Sequence, residues 1–284
     1  MRLAVFLLAA SALAQSRAVV LAPVLNMYSK PTAEVDVVSQ AIYATTVGIL
    51  EERQGFAKIK TPDEYEGWAS LTSLRKLKPA DPVYASAGRA ATVESLFAHL
   101  YRGKSVTDRQ PLLTVPFDTR LEVVGDASDK DERWLQVRLP DDQPAWIQNG
   151  DITLEPKPLT IPELAQLSKR FLGLPYTWGG TSSYGYDCSG FTQMLCRRGG
   201  RQIPRDADQQ ADWDGMTKIE ARDLQPGDLL YFGSSPKKIT HTGFYLGNGE
   251  FIHATTYSKP VIQVSKLTDE RWTRLLVATR RWTK

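Results

Sequence analysis

Short apolar segments follow one another in the same order in two stretches ahead of residue 157. A Tyr marks the start of each run and a Trp its end: Tyr28 with Trp68 in the first stretch, and Tyr101 with Trp146 in the second. The segments between these landmarks are rich in branched and aromatic residues and are broken by turn residues. Short strands separated by regular turns are typical of small antiparallel barrels. The pattern therefore predicts two copies of one all-β unit.

After Pro158 the pattern changes to helices first and strands later, which is the order expected of an α+β domain. Apolar residues three and four positions apart predict a helix over residues 161–171. A second helix is predicted to begin at Asp187 or Cys188 and to end at Gly199, after two arginines in its last turn. Four strands are predicted to follow, at residues 228–232, 240–246, 250–255 and 275–279.

Proline-rich stretches at residues 78–82 and 155–158 predict linkers between these units. The expected domains are residues 15–78, 79–156 and 157–284. With 42% hydrophobic and 24% charged residues, the composition is that of an ordinary globular protein. The net charge of +3 is too small to indicate a nucleic-acid partner, and it only weakly favours residence near an anionic polymer.

The first residues have the features of an export signal. Met1-Arg2 precedes an apolar run at residues 3–10, and the small-x-small sequence Ala12-Leu13-Ala14 follows, which predicts a signal peptide over residues 1–14. The run is too short to span a bilayer. No Cys follows the cleavage site, so a lipid anchor has no acceptor. A mobile hydrophobic terminus is the alternative. We expect a secreted or periplasmic protein of the cell envelope, without stable membrane insertion.

The two cysteines lie in the second predicted helix. Cys188 is at its start, where unpaired backbone N–H groups and the helix dipole favour the thiolate, so a lowered thiol pKa is expected. Cys196 falls inside the helix and is interpreted as a small core residue. Eight residues of helix correspond to about 12 Å of rise, which exceeds disulfide reach. Both thiols are therefore expected to be free, and Cys188 is the candidate nucleophile.

Two histidines accompany this thiol. His241 alternates with Gly243 along one strand face, and a hairpin turn at residues 247–249 leads to His253. A three-residue loop in which Leu246 pairs with residue 250 places His253 opposite Gly243, on the face of His241. A two-residue loop would place it on the other face. His99 has no such partners and is interpreted as structural or surface. Two histidines and one cysteine lack a fourth ligand, so no metal is expected.

Five ordered elements of the last region, and looser motifs before it, resemble known families. Residues 160–284 resemble the NlpC/P60 family of cell-wall cysteine peptidases, which have a papain-like fold. Residues 18–76 and 90–155 resemble bacterial SH3 domains. The NlpC/P60 resemblance implies Cys188 as nucleophile, His241 as base and His253 as the residue that orients it. The five matching elements are Pro175-Tyr176-Thr177-Trp178-Gly179-Gly180, Tyr186-Asp187-Cys188-Ser189-Gly190-Phe191, Leu224-Gln225-Pro226-Gly227-Asp228-Leu229, His241-Thr242-Gly243-Phe244-Tyr245-Leu246-Gly247 and Phe251-Ile252-His253-Ala254.

SH3 units ahead of such a domain resemble the γ-D-glutamyl-L-diamino acid endopeptidases. The resemblance implies cleavage before diaminopimelate or Lys in peptidoglycan stem peptides that bear a free N-terminal L-Ala. It implies that Arg205 and Asp206 both belong to the substrate-binding site and that the Asp of this pair grips the free amine. A surface ion pair between those two residues is the alternative. The resemblance assigns the remaining lining of the substrate pocket to Tyr65, Tyr176, Asp187 and Ser189.

One position departs from this pattern. The first barrel of such enzymes also supplies a Glu to the amine pocket, and this chain has Ala44-Thr45 there. Glu64 and Glu66 are the candidate substitutes. The expected oxyanion donors are the Cys188 amide and a tyrosine hydroxyl, that of residue 176.

Other functions remain open from sequence. One is an amidase or acyltransferase on the same scaffold, and another is a non-catalytic wall-binding SH3 protein. No cofactor is expected, the expected partners are muropeptides, and the chain is expected to be a monomer. The first SH3 unit is interpreted as restricting substrates to short soluble peptides.

Overall fold

The computed structural model describes residues 16–124 and 133–282. The predicted signal peptide at residues 1–14 lies outside these ranges. Within them, no helix is both long and apolar enough to cross a membrane. The architecture is α+β, with two all-β units followed by a mixed helix and sheet region, as the sequence predicts.

The first all-β unit is one antiparallel sheet of seven strands that curls around an alternating apolar face. Its strands run in the order β3-β2-β6-β5-β4-β1-β7. Met27, Val47, Ile59 and Ala69 come from four different strands and are fully or almost fully buried in its core. The strands are β1 Arg17–Val20, β2 Val24–Tyr28, β3 Val37–Ile42, β4 Thr46–Arg53, β5 Phe56–Lys60, β6 Glu66–Ser70 and β7 Leu74–Leu77.

The second all-β unit repeats the pairing of the first. Tyr28 lies opposite Trp68 in the first unit, and Tyr101 lies opposite Trp146 in the second. The landmarks of the sequence repeat are therefore structural equivalents. A sheet ordered β13-β12-β11-β8-β14 is accompanied by the pair β10-β9. The strands are β8 Ala90–Val93, β9 Phe97–Leu100, β10 Leu113–Pro116, β11 Arg120–Val123, β12 Trp134–Arg138, β13 Pro144–Gln148 and β14 Ile152–Thr153.

The third region packs helices against an antiparallel sheet ordered β17-β22-β18-β19-β20-β21. The first helix starts at a capping box formed by Thr160 and Glu163. The second helix begins at Cys188 and ends before Gly199, as the sequence predicts. Several other elements lack a clear periodic signal in the sequence: α3, α4 and the short or edge strands β15, β16, β17 and β21. The elements are α1 Ile161–Lys169, β15 Thr181–Ser182, β16 Gly185–Tyr186, α2 Cys188–Arg198, α3 Ala207–Asp212, β17 Met216–Lys218, β18 Leu229–Ser235, β19 Lys238–Gly247, β20 Glu250–Thr255, β21 Val261–Lys266, α4 Glu270–Leu275 and β22 Leu276–Trp282.

Both all-β units are docked on the third region. From the first unit, Val37 meets Gly179 so closely that a Cβ on that glycine would lie 2.8 Å from the valine side chain. From the second unit, Phe117 is buried in the core of the third region and packs edge-on against Phe171 at 5.3 Å. Arg198, at the end of α2, is buried and pairs with carboxylates of the second unit. Gln193 of the same helix donates to Asp63 of the first unit at 2.9 Å, so the helix that begins at Cys188 contacts both units.

Candidate active site

Cys188 is the first residue of α2, and the residue before it caps the helix. The Asp187 carboxylate accepts a hydrogen bond of 2.7 Å from the Gly190 amide, which explains why the helix starts here. The thiol is buried. Burial, and then the charge of Asp187, raise the pKa of Cys188 to about 12, although the Thr242 amide donates to the sulfur and opposes the shift. The expectation of a lowered thiol pKa is therefore wrong for the substrate-free protein, because burial outweighs the helix start.

His241 and His253 are hydrogen-bonded across neighbouring strands. Nε2 of His241 lies 2.6 Å from Nδ1 of His253. Burial, and then the positive charge of Arg271, lower the pKa of His241 to about 3, and burial holds the pKa of His253 well below its usual value. Both imidazoles are therefore neutral at pH 7. Nε2 of His253 continues the chain to the Ser265 hydroxyl at 3.0 Å.

The hairpin that brings the histidines together differs from the predicted one in its loop. Glu250 pairs with Gly247, so the loop is the two residues Asn248 and Gly249, both with positive φ, as an Asn-Gly type I′ turn requires. A β-bulge between Tyr245 and Gly247 adds one residue and restores the register. The predicted common face is therefore correct, but the bulge produces it rather than a three-residue loop.

An indole covers the imidazole pair. The Trp272 ring stacks on His241 with centroids 5.3 Å apart and meets His253 edge-on at 4.8 Å. Phe232 and Phe251 pack against the same indole. These aromatic contacts bury His253 fully and His241 in part, and this burial is the largest cause of the depressed pKa values. Neither Trp272 nor Ser265 is identifiable from sequence, because their elements, α4 and β21, have no clear periodic pattern.

Arg205 is buried behind the thiol and does not pair with Asp206. Its guanidinium binds both carboxylate oxygens of Asp187, at 3.0 and 2.6 Å, and the Ser189 hydroxyl at 2.8 Å. Nε donates to the Ser39 hydroxyl of the first all-β unit at 3.1 Å. The surface ion pair considered from sequence is therefore wrong. Arg205 instead connects the first unit to the cap of the helix that carries Cys188.

A cleft of about 320 Å³ opens beside the thiol, between the first unit and the third region. The Tyr65 hydroxyl donates to Asp206 across it at 3.1 Å. Burial raises the pKa of Asp206, and burial followed by the Asp206 charge raises the pKa of Tyr65 to about 12. Six of the residues proposed from sequence line this cleft: Tyr65, Tyr176, Asp187, Cys188, Ser189 and Asp206.

The residues suggested for the missing Glu lie elsewhere. Ala44 is buried and packs with the core of the second all-β unit. Glu64 pairs with Lys60 and Glu66 with Lys58, and neither lines the cleft. The first unit instead brings Asp36, an exposed residue not identified from sequence, to the rim of the cleft.

Comparison with known proteins agrees with this architecture. The NlpC/P60 family matches residues 173–281, and the bacterial dipeptidyl-peptidase Sh3 domain matches residues 27–74. The SH3 assignment of the second unit rests on the repeat and remains a prediction. A γ-D-glutamyl-L-lysine dipeptidyl-peptidase of Bacillus cereus is 35% identical over 236 residues, which cover 78% of this chain and 68% of the relative. Its namesake in Bacillus subtilis is 30% identical, over 78% of this chain and 70% of the relative.

Among solved structures, an NlpC/P60 family protein from Bacillus cereus superposes with a TM-score of 0.80. The match covers 95% of this chain and 100% of that one at 23% sequence identity, and it therefore supports the fold.

Proposed function

This chain belongs to the NlpC/P60 family, and we propose that it hydrolyses the bond between γ-D-glutamate and an L-diamino acid in peptidoglycan stem peptides. It is a cysteine peptidase that acts on peptidoglycan, as its relatives of that specificity indicate. The observation that supports this specificity is a single cleft lined both by the helix-start thiol of Cys188 and by the half-buried carboxylate of Asp206. The predicted signal peptide supports action outside the cytoplasm.

The proposed mechanism starts from a neutral thiol and a neutral imidazole. In the tautomers that we propose, Nε2 of His253 donates to Ser265 and its Nδ1 accepts from Nε2 of His241, which leaves Nδ1 of His241 free to accept a proton. As the sulfur of Cys188 attacks the γ-carbonyl carbon, the thiol proton passes to that Nδ1. The Cys188 amide and the Tyr176 hydroxyl are the proposed donors to the oxyanion.

Collapse of the tetrahedral intermediate breaks the carbon–nitrogen bond. His241 returns the proton to the leaving amine and then deprotonates a water molecule, which attacks the thioester. The carbon–sulfur bond breaks, the dipeptide leaves, and His241 returns this second proton to the sulfur of Cys188. His253 is fully buried, where a charge is costly, so it stays neutral and acts by orienting its partner.

Asp206 is the proposed ligand of the free amine. Its oxygen already accepts from Tyr65, and burial disfavours its charged form, so an ammonium in the cleft would restore a favourable pair. An acylated terminus would instead bury the carboxylate without a cation. Because Tyr65 belongs to the first all-β unit, this unit closes the cleft at the amine end and restricts it to short peptides.

The test compares L-Ala-γ-D-Glu-L-Lys with its N-acetylated form by quantitative mass spectrometry. The unmodified protein should cleave the free-amine peptide at least about 100-fold faster in kcat/KM, which corresponds to roughly 2.7 kcal/mol. Asp206→Asn should lose most of this discrimination. Asp208→Asn is the matched control, because Asp208 also lines the cleft but is exposed. Equal cleavage of both peptides by the unmodified protein would remove the amine-binding role.

A further inference from the structure

Arg271 projects to solvent beside the imidazole pair. Its guanidinium carbon lies 4.3 Å from the centre of the Tyr257 ring and 5.5 Å from that of the Trp272 ring. The same indole stacks on His241. The cation is thus held by two aromatic rings, one of which also stacks on His241, on a side chain that is otherwise exposed.

This cation has no anionic partner in residues 16–124 and 133–282, since no ion pair there includes Arg271. Its charge also contributes to the lowered pKa of His241, so it opposes the imidazolium that the reaction must form. An anion bound to the guanidinium would cancel that opposition. A substrate that brings such an anion would therefore strengthen the base as it binds.

The leaving part of the substrate has to approach His241. His241 must reach the leaving nitrogen to protonate it, so the diamino acid lies against His241. Arg271 and Tyr257 both pack against Trp272, the indole that stacks on that imidazole, and neither lines the cleft that holds Asp206. A diamino acid at the end of a tripeptide carries a free α-carboxylate, and diaminopimelate carries a second carboxylate on its side chain.

We propose, on the basis of the proposed function, that Arg271 and Tyr257 form a binding site for a carboxylate of the leaving diamino acid. The planar guanidinium can bind both carboxylate oxygens while its face remains on the tyrosine ring. The site adds a selection on the leaving side of the bond to the amine selection at the other end of the substrate. Peptides whose leaving residue bears a free carboxylate are the preferred substrates.

Kinetics on two peptides test this site. L-Ala-γ-D-Glu-L-Lys should be cleaved about tenfold faster in kcat/KM than the same peptide with a C-terminal amide. Arg271→Gln should bring the ratio close to one, and Arg271→Lys should leave it intermediate. Arg274→Gln should keep the full ratio, because Arg274 is an exposed arginine on the same helix. A ratio near one for the unmodified protein, or a full ratio for Arg271→Gln, would overturn the proposal.

Binding separates this proposal from the proposed function. Cys188→Ala cannot form the thioester, so calorimetric titration with the acid and the amide peptides measures recognition alone. If Cys188→Ala binds the acid peptide more tightly than the amide peptide and Cys188→Ala/Arg271→Gln does not, the site is supported. Cleavage of neither peptide by the unmodified protein would refute the proposed function but would leave this support for the site intact. Equal affinities would overturn the site even if both peptides are cleaved.

Discussion

Replacing Arg205 by Met tests how the first all-β unit and the catalytic helix are joined. The arginine is 1% exposed, and its guanidinium neutralises the Asp187 carboxylate through two hydrogen bonds. Methionine fills a similar volume but leaves the almost buried carboxylate without its cation. The hydrogen-bond donors that remain for Asp187 in the described part of the chain are the Gly190 amide and the Ser189 hydroxyl. Removing one partner of a buried ion pair costs about 3–5 kcal/mol.

Thermal unfolding followed by circular dichroism measures this cost. For a large domain, each kcal/mol lost from the free energy of unfolding lowers the melting temperature by roughly 2–4 °C. Arg205→Met should therefore melt about 10 °C below the unmodified protein. Asp187→Asn keeps an oxygen that can cap the helix but removes the charge. The double variant Arg205→Met/Asp187→Asn should therefore melt at a higher temperature than Arg205→Met. A double variant that is equally or less stable would refute the reasoning, because the cost could not then come from an unpaired carboxylate.

Ser265, Cys188 and Phe117 offer further tests of the site and the fold. Ser265→Val should lower kcat about fivefold to tenfold with little change in KM, because it loses a hydrogen bond worth roughly 1 kcal/mol that orients His253. Ser265→Thr keeps the hydroxyl and should retain activity. Equal kcat values for Ser265→Val and the unmodified protein would contradict this role. With a thiol pKa of about 12, alkylation of Cys188 by iodoacetamide should rise about tenfold per pH unit from pH 6 to 9, and a plateau in acid would show a preformed thiolate. Phe117→Ala should destabilise the peptidase region by about 3–5 kcal/mol in thermal unfolding, whereas exposed Phe97→Ala should not.

The repeat and the helix start were accessible from sequence because they rest on local patterns. Alternation of buried residues defines each strand of the all-β units, and the residues Tyr28 and Trp68 of the sequence repeat occupy paired positions in the sheet. The second helix begins at Cys188 because Asp187 can cap it, a signal contained within four residues. Local preference and tertiary packing agree at these positions.

The partners of the buried polar groups were not accessible, because they depend on contacts distant in sequence. Arg205 and Asp206 are neighbours in the chain, yet one side chain points to Asp187 and the other to Tyr65 of the first unit. The bulge that places His253 correctly is a one-residue irregularity without a signal of its own in the alternating pattern. Burial, which sets the direction of the Cys188 pKa, likewise comes from the assembled units.

Mass spectrometry of L-Ala-γ-D-Glu-L-Lys after incubation with the purified protein tests the nucleophile and the cleaved bond together. Parallel reactions contain Cys188→Ala and His241→Ala. The unmodified protein should release L-Ala-γ-D-Glu and lysine, and neither variant should release the dipeptide. Release by Cys188→Ala at the rate of the unmodified protein would contradict the assignment of the nucleophile. Absence of release by all three proteins would contradict the proposed bond.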